Sequence, residues 1–403
     1  MTERYTVISS DGHAGAPPHE YREYLPARRH DEFDAWAQNF HNPFSDLAGS
    51  NAYRNWDSAQ RLAELETDGI VAEVLFPNTI PPFWPSGALV SPAPTAADYE
   101  RRFVGLQAHN RWLADFCAQT PGRRAGIAQI FLNDLDDALG EVRFAAESGL
   151  FGGILLPGVA PNHEIPPLWS DTYEPLWTLC EELDIVVNHH SGGGLPVFDV
   201  ADPAARAVML VEIPIYAHRA LWALIFAGVF ERHPSLKFVL TEQGTSWVPG
   251  TLANLDWFAG RMRLPDAAEA HFGGEAVAKL SLTPSEYFAR NCWIGASFLR
   301  PIESTLCHDV GIDRIMWGSD YPHTEGSYPY SREALRAAFA GTPEPEVRAM
   351  LSENAATVYD FDLAALDALG IGPTVEEIAQ PLLTVHEDSS CNAFDPTAIV
   401  RTW

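Results

Sequence analysis

Four short stretches of this sequence run from apolar residues into side chains able to hold a divalent cation. YTVIS is followed by Asp11-Gly12-His13, and IVVN by His189-His190 and a Ser-Gly-Gly-Gly turn. LKFVLT ends in Glu242 ahead of Gln-Gly, and RIMWGS ends in Asp320 ahead of Tyr-Pro-His. Two imidazoles with two or three carboxylates around one point suit Zn²⁺ or Mn²⁺. In an extended Asp-x-His, residues i and i+2 point the same way, so Asp11 and His13 can face a single ion. Gly12 between them would let the backbone pass close to that ion. Each stretch alone has a plainer reading. Asp-Gly-His and Ser-Asp-Tyr-Pro are good turns, Glu242 and Asp320 suit helix caps, and a paired histidine is often a satisfied core residue. The recurrence of ligand types at the ends of four separate runs favours the metal.

Such convergence requires elements that bring these ends to one face. Short β-rich runs recur at 5–9, 70–76, 125–131, 152–157, 185–190, 236–242, 291–297 and 314–320. Helix-like segments lie between them, at 57–68, 95–119, 134–148, 173–183, 205–232, 299–310 and 331–340. Strands alternating with helices imply right-handed βαβ units and a parallel sheet. Eight units predict an α/β fold, a (β/α)8 TIM barrel, with a doubly wound sheet as the alternative. In a barrel the carboxyl ends of the strands share one rim.

Residues 1–359 read as one barrel domain and 360–403 as a C-terminal extension. Two insertions follow strand ends, at about 17–57 (aromatic, with Phe44 among others) and 77–94 (proline-rich). Both are expected to form lids or pocket walls, with surface packing as the alternative. Phe83 and Trp84 could stack on a planar substrate. Val400 and Trp403, near the end of the extension, could cross to a partner subunit in a homodimer.

Composition narrows the partners. A net charge of −28 argues against nucleic acid and anionic membranes. An anionic substrate would then need a local cation, and Arg54, Arg219 and Arg300 are candidates. No uninterrupted apolar run reaches membrane-spanning length, and MTERYTVISSDGH lacks the pattern of a signal peptide. Five scattered cysteines without a CxxC predict free thiols and a cytoplasmic setting.

The motifs DGH, EELDIVVNHHSGG, FAGVFERHPSLKFVLTEQGTSWVP, WGSDYPHTEG and LSENAATVYDF resemble the amidohydrolase superfamily. More narrowly they resemble its amidohydrolase-related family, which includes aminocarboxymuconate semialdehyde decarboxylase and aromatic-acid decarboxylases. The resemblance covers nearly the whole chain. It implies a mononuclear divalent metal, Zn²⁺ before Mn²⁺, on Asp11, His13, His190 and Asp320. The first-strand motif there is often His-x-His or Glu-x-His, and Asp11 takes the first place here. His190 matches the strand-five ligand, leaving His189 to pack beside it, with the swapped assignment open. Where those decarboxylases often carry an acid/base histidine at the end of strand six, this chain has Glu242. Glu242 would replace it, join the metal, or fix His190 or His218 by hydrogen bonding.

The expected reaction is non-oxidative decarboxylation of a small cyclic or aromatic carboxylic acid, with Asp320 or Glu242 protonating the ring carbon. The alternative is hydrolysis of an amide, ester or lactone by metal-activated water, with Asp320 taking the proton. A non-catalytic metal-binding barrel is a further alternative. His218 is read as packing or as lining the site, and His323 with Glu325 as support around Asp320.

Overall fold

Every described strand is short and buried along its whole length, as strands covered by helices on one side and a packed interior on the other must be. The computed structural model describes all residues except 1–2, 41–48, 162–163, 200, 385, 387–389 and 395–403. Phe44, Val400 and Trp403 lie outside the described residues.

The strands are β1 (Ile8–Ala14), β2 (Ala72–Pro77), β3 (Arg124–Gln129), β4 (Gly153–Leu155), β5 (Val187–His190), β6 (Phe238–Thr241), β7 (Cys292–Ser297) and β8 (Ile315–Gly318). All neighbours pair in parallel, in the order of the sequence. A parallel bridge between Gly12 and Tyr321 joins the last strand region to the first, so the fold is the (β/α)8 TIM barrel and not a doubly wound sheet.

Local chemistry sets the helix ends. Asp57 accepts from the Gln60 amide to cap Ser58–Asp68, and Gly69 ends that helix in a left-handed turn. The long segment expected at 205–232 is two helices, Pro203–Phe226 and Val229–Arg232, broken at Gly228 with φ 72°. Pro203–Phe226 is long and apolar enough to cross a membrane, with a mean hydropathy of 1.4. The expectation of no such segment counted only uninterrupted apolar runs, and Arg206, Glu212 and Arg219 interrupt this one. Here it follows β5, burying Ala217, His218, Leu221 and Leu224 and exposing Val208, Leu210, Val211 and Ile215.

Side-chain parity divides the core. Val74, Phe76, Ile127, Leu155, Val186, Val239 and Met316 share one buried cluster, which fills the barrel. Leu75, Ala128, Ile154, Val187, Leu240, Ile294, Ile315 and Trp317 belong to another, packed against the helices. The described residues of the extension pack onto the barrel. Phe361 and Leu366 join the barrel-filling cluster, and Arg4 bridges to Thr374. All five cysteines are free and buried.

Candidate metal centre

β1 reaches further than its apolar run suggests, so Asp11 and His13 lie within the strand. A register irregularity between Ser9 and Gly12 accompanies a hydrogen bond from Ser9 Oγ to the Asp11 carbonyl at 2.6 Å. Gly12 also has a steric reason to be glycine. A Cβ there would lie 3.2 Å from Glu73 Oε2 and 3.4 Å from Arg61 Nη2, so the glycine makes room for the buried pair behind the strand. Arg61 pairs with Glu73 at 2.6 Å and donates to the His13 carbonyl at 2.8 Å, which fixes the ligand segment from outside.

On β5, residue parity turns His190 inward and His189 outward. His190 Nε2 lies 3.5 Å from Asp11 Oδ1 and 3.2 Å from Glu242 Oε2. Its Nδ1 faces the Ser191 carbonyl at 3.1 Å, which leaves Nε2 for a ligand. His189 Nδ1 instead faces the Leu156 carbonyl at 2.9 Å. Burial pushes His189 down to about 4, so it is neutral.

Beyond β8, Asp320 lies within reach of His13, with Oδ1 3.0 Å from Nε2. His13 Nε2 also lies 3.2 Å from Asp11 Oδ1. Asp320 (φ 59°) and Glu242 (φ 56°) both adopt the left-handed conformation that non-glycine residues avoid, a strain of about 1–3 kcal/mol each. A cap would accept backbone N–H groups, yet neither carboxylate oxygen of Asp320 has a hydrogen-bond partner. The cap reading of Asp320 therefore fails.

The electrostatics of this cluster call for a cation. Asp11 Oδ1, His13 Nε2, His190 Nε2 and both Asp320 oxygens are buried without hydrogen bonds; their close mutual approaches lack hydrogen-bonding geometry. Burial would raise the Asp11 carboxyl, but the His13 and His190 imidazoles hold it below the usual range. Burial pushes Asp320 well up, and the Glu242 and Asp11 charges push it further. Burial also raises Glu242. A divalent ion would satisfy every orphaned atom and neutralise the crowded carboxylates. The residues fit such an ion: ligand atoms of Asp11, His13, His190 and Glu242 lie within 4.8 Å of one another, as do those of His13, Asp320 and His323.

Two site neighbours carried no metal-site reading in the sequence. Ser297 ends β7 on the same rim and donates to Asp11 Oδ2. Arg61 falls in the helix-like segment 57–68, and no local signal in the sequence marks it. His323, expected only as support, sets its ring 4.4 Å from that of His13 and can reach the ion itself.

Two cavities flank the centre. One, of about 110 Å³, is lined by His190, Trp84, Phe131, Leu156 and Gly193. The other, of about 530 Å³, is lined by Glu242, His218, Trp247, Ser297 and Arg300. The proline-rich insertion thus supplies Trp84 to one wall, while Phe83 packs against Phe33 and Trp36. No described residue of 17–57 lines either cavity. Its Tyr21 is instead buried, bonded to Thr79 and His109.

His218 is outside the ligand cluster. Its ring stacks on Trp247 at 3.7 Å, its Nε2 faces the Gln243 carbonyl at 3.3 Å, and burial lowers it to about 4. Of the three arginines, Arg300 lines the larger cavity and pairs with Glu303 at 2.9 Å. Arg54 pairs with Glu64 at 2.9 Å and lines neither cavity. Arg219 borders a separate cavity, together with His189 and Trp222.

Comparison with known proteins adds to this geometry. The model of the family described as Amidohydrolase matches residues 11–361. A gamma-resorcylate decarboxylase of Rhodococcus jostii (strain RHA1) is 25% identical over 295 residues, 68% of this chain and 82% of the relative. The crystal structure of 5-carboxyvanillate decarboxylase from Sphingomonas paucimobilis superposes with a TM-score of 0.65 at 21% identity, over 89% of this chain and 99% of that one. A dihydroxybenzoic acid decarboxylase from Polaromonas sp. JS666, solved with manganese and 2-nitroresorcinol, gives 0.61 at 18% identity, over 90% and 99%.

Proposed function

Because the chain belongs to the amidohydrolase family, we propose that it is a metal-dependent carboxy-lyase that removes CO2 from a small aromatic carboxylic acid without a redox cofactor. The observation that carries this reading is the cluster of orphaned, buried donor atoms on Asp11, His13, His190 and Asp320, bordered by a cavity large enough for a ring. The decarboxylases among its relatives supply the reaction class.

Asp11, His13, His190 and Asp320 would hold the ion. When bound, it supplies positive charge for the substrate carboxylate and an adjacent oxygen as CO2 leaves. Breaking the ring–carboxylate bond leaves its electron pair on the ring carbon, and that carbon must take a proton. Glu242 is the acid placed to give it. Its side chain is 26% exposed and lines the larger cavity, whereas those of Asp11 and Asp320 are fully buried. Burial raises Glu242, which favours its protonated form. Trp247, held by its stack on His218, presents an aromatic wall to the ring. Arg300 lines the same cavity, in its pair with Glu303.

Asp11, His13, His190 and Asp320 offer two imidazoles and two carboxylates, a set that admits either ion, and a solved decarboxylase that resembles this chain holds manganese. We therefore place Mn²⁺ level with Zn²⁺. The test is metal analysis of the purified protein, then CO2 release from 2-hydroxybenzoates before and after chelation and metal add-back. CO2 release restored by add-back supports the reading. Release of an amine, alcohol or opened lactone from the corresponding substrates, without CO2, would replace it with metal-assisted hydrolysis.

A further inference from the structure

The larger cavity has a wall that comes from outside the family-matched residues 11–361. The extension starts among the barrel-filling residues with Phe361 and Leu366 and passes the N-terminus at Thr374. It then climbs the helix Ser331–Phe339, where Arg336 donates to the carbonyls of Gln380 and Pro381, each at 3.0 Å. At the rim the Asn392 amide donates to the Glu325 carbonyl at 2.8 Å, in the loop that follows Asp320. Cys391, Ala393 and Phe394 are buried there with Ala334, against Phe298 and Tyr330. Cys391, Asn392 and Phe394 line the cavity that Glu242 and Ser297 also line.

We propose that the turn 391–394 is the specificity wall of the substrate cavity, facing the ring substituent that lies away from the metal centre. Asn392 is exposed, and its side-chain amide has no hydrogen-bond partner among the described residues. Its carboxamide both donates and accepts, which matches a hydroxyl or methoxy group on the ring. Phe394 and Phe298 are the apolar part of the wall and limit the width of that substituent. The selection that follows is among aromatic acids that differ in an oxygen substituent on the side of the ring away from the metal centre. A site that hydrogen-bonds a hydroxyl discriminates strongly against the analogue lacking it, whereas an apolar wall discriminates only modestly by size.

This inference rests on the decarboxylase reading of the same site, and binding separates the two. The full-length, manganese-loaded protein is titrated calorimetrically with 2-hydroxybenzoate and with the same acid bearing a hydroxyl or methoxy group para to the carboxylate. The wild type is expected to prefer the substituted acids. Asn392→Ala should lose about tenfold of that preference, and Asn392→Trp should exclude the substituted acids while still binding the parent. Residue 392 is on the surface, so metal content and melting temperature should not change in either variant. Wild-type discrimination that survives unchanged in both variants overturns the inference and leaves the proposed function standing. A wild type that binds none of these acids overturns the proposed substrate class, and the specificity wall with it.

Discussion

The backbone amide of Asp320 donates to the carbonyl of Asp11 at 2.9 Å, across the seam where the barrel closes. The His13 amide donates to the Tyr321 carbonyl at 2.7 Å beside it. Candidate ligands more than 300 positions apart in the chain are thus held by main-chain bonds, which do not depend on an ion being present. The site is positioned in advance, and its side chains can be altered without dismantling the frame.

Replacing Asp320 with Asn should abolish turnover, by at least about a thousandfold, and leave the barrel folded. Asn tolerates the left-handed backbone that Asp320 adopts, so the change removes charge and little else. His190→Ala should have the same effect. Circular dichroism checks the fold and a CO2 assay checks the loss; wild-type turnover in either variant would sink the site assignment.

Glu242→Gln separates acid from ligand. As a proton donor its loss should lower kcat by about 10²–10⁴-fold and spare most of the metal. Elemental analysis decides: a variant that purifies without metal makes Glu242 a ligand instead.

Arg61→Met tests the support behind His13. It strips Glu73 of its principal partner, and breaking a buried pair costs about 3–5 kcal/mol. Arg124, 3.3 Å from Glu73, should hold the loss near the lower end. Denaturant unfolding measures it, and a change below about 1 kcal/mol would refute the role.

Asp68 gives a pH signature remote from the centre. Burial raises its carboxyl to about 6, and both its oxygens accept from the Ser331 amide. A folded-state value above the unfolded one means that its neutral form stabilises the fold. That contribution is complete below about 3.8 and is lost as pH rises through about 6. Asp68→Asn, always neutral, should be more stable than wild type at pH 8, by up to about 3 kcal/mol. The gain should vanish towards pH 4. An equal gain at both values would rule the titration out.

Removing the metal should lower the melting temperature, because an ion that binds only the folded chain stabilises it, by about 2.7 kcal/mol at a hundredfold excess over Kd. Acid should do the same, since His13 and His190 bind an ion only when neutral. Near pH 7.5, thermal melts with chelator and with manganese add-back check this; identical melts would contradict a metal centre.

The eight strands and the ligand types at four of their ends were legible in the sequence because they are written locally. β-rich runs, turn residues and an Asp-x-His spacing need no knowledge of the partner strand. Locality also explains the misjudged details. β1 was placed too early because a polar, ligand-bearing stretch does not read as strand. Which of His189 and His190 faces the interior follows from pairing register, in which His190 lies opposite Thr241. Arg61 and Gly12 acquire their meaning from Glu73, on the neighbouring strand. That the turn 391–394 walls a cavity beside Glu242 depends on a chain path from the base of the barrel to its rim. The amino-acid types set what chemistry is available; closure of the barrel decided which side chains meet, because those contacts join residues tens to hundreds of positions apart.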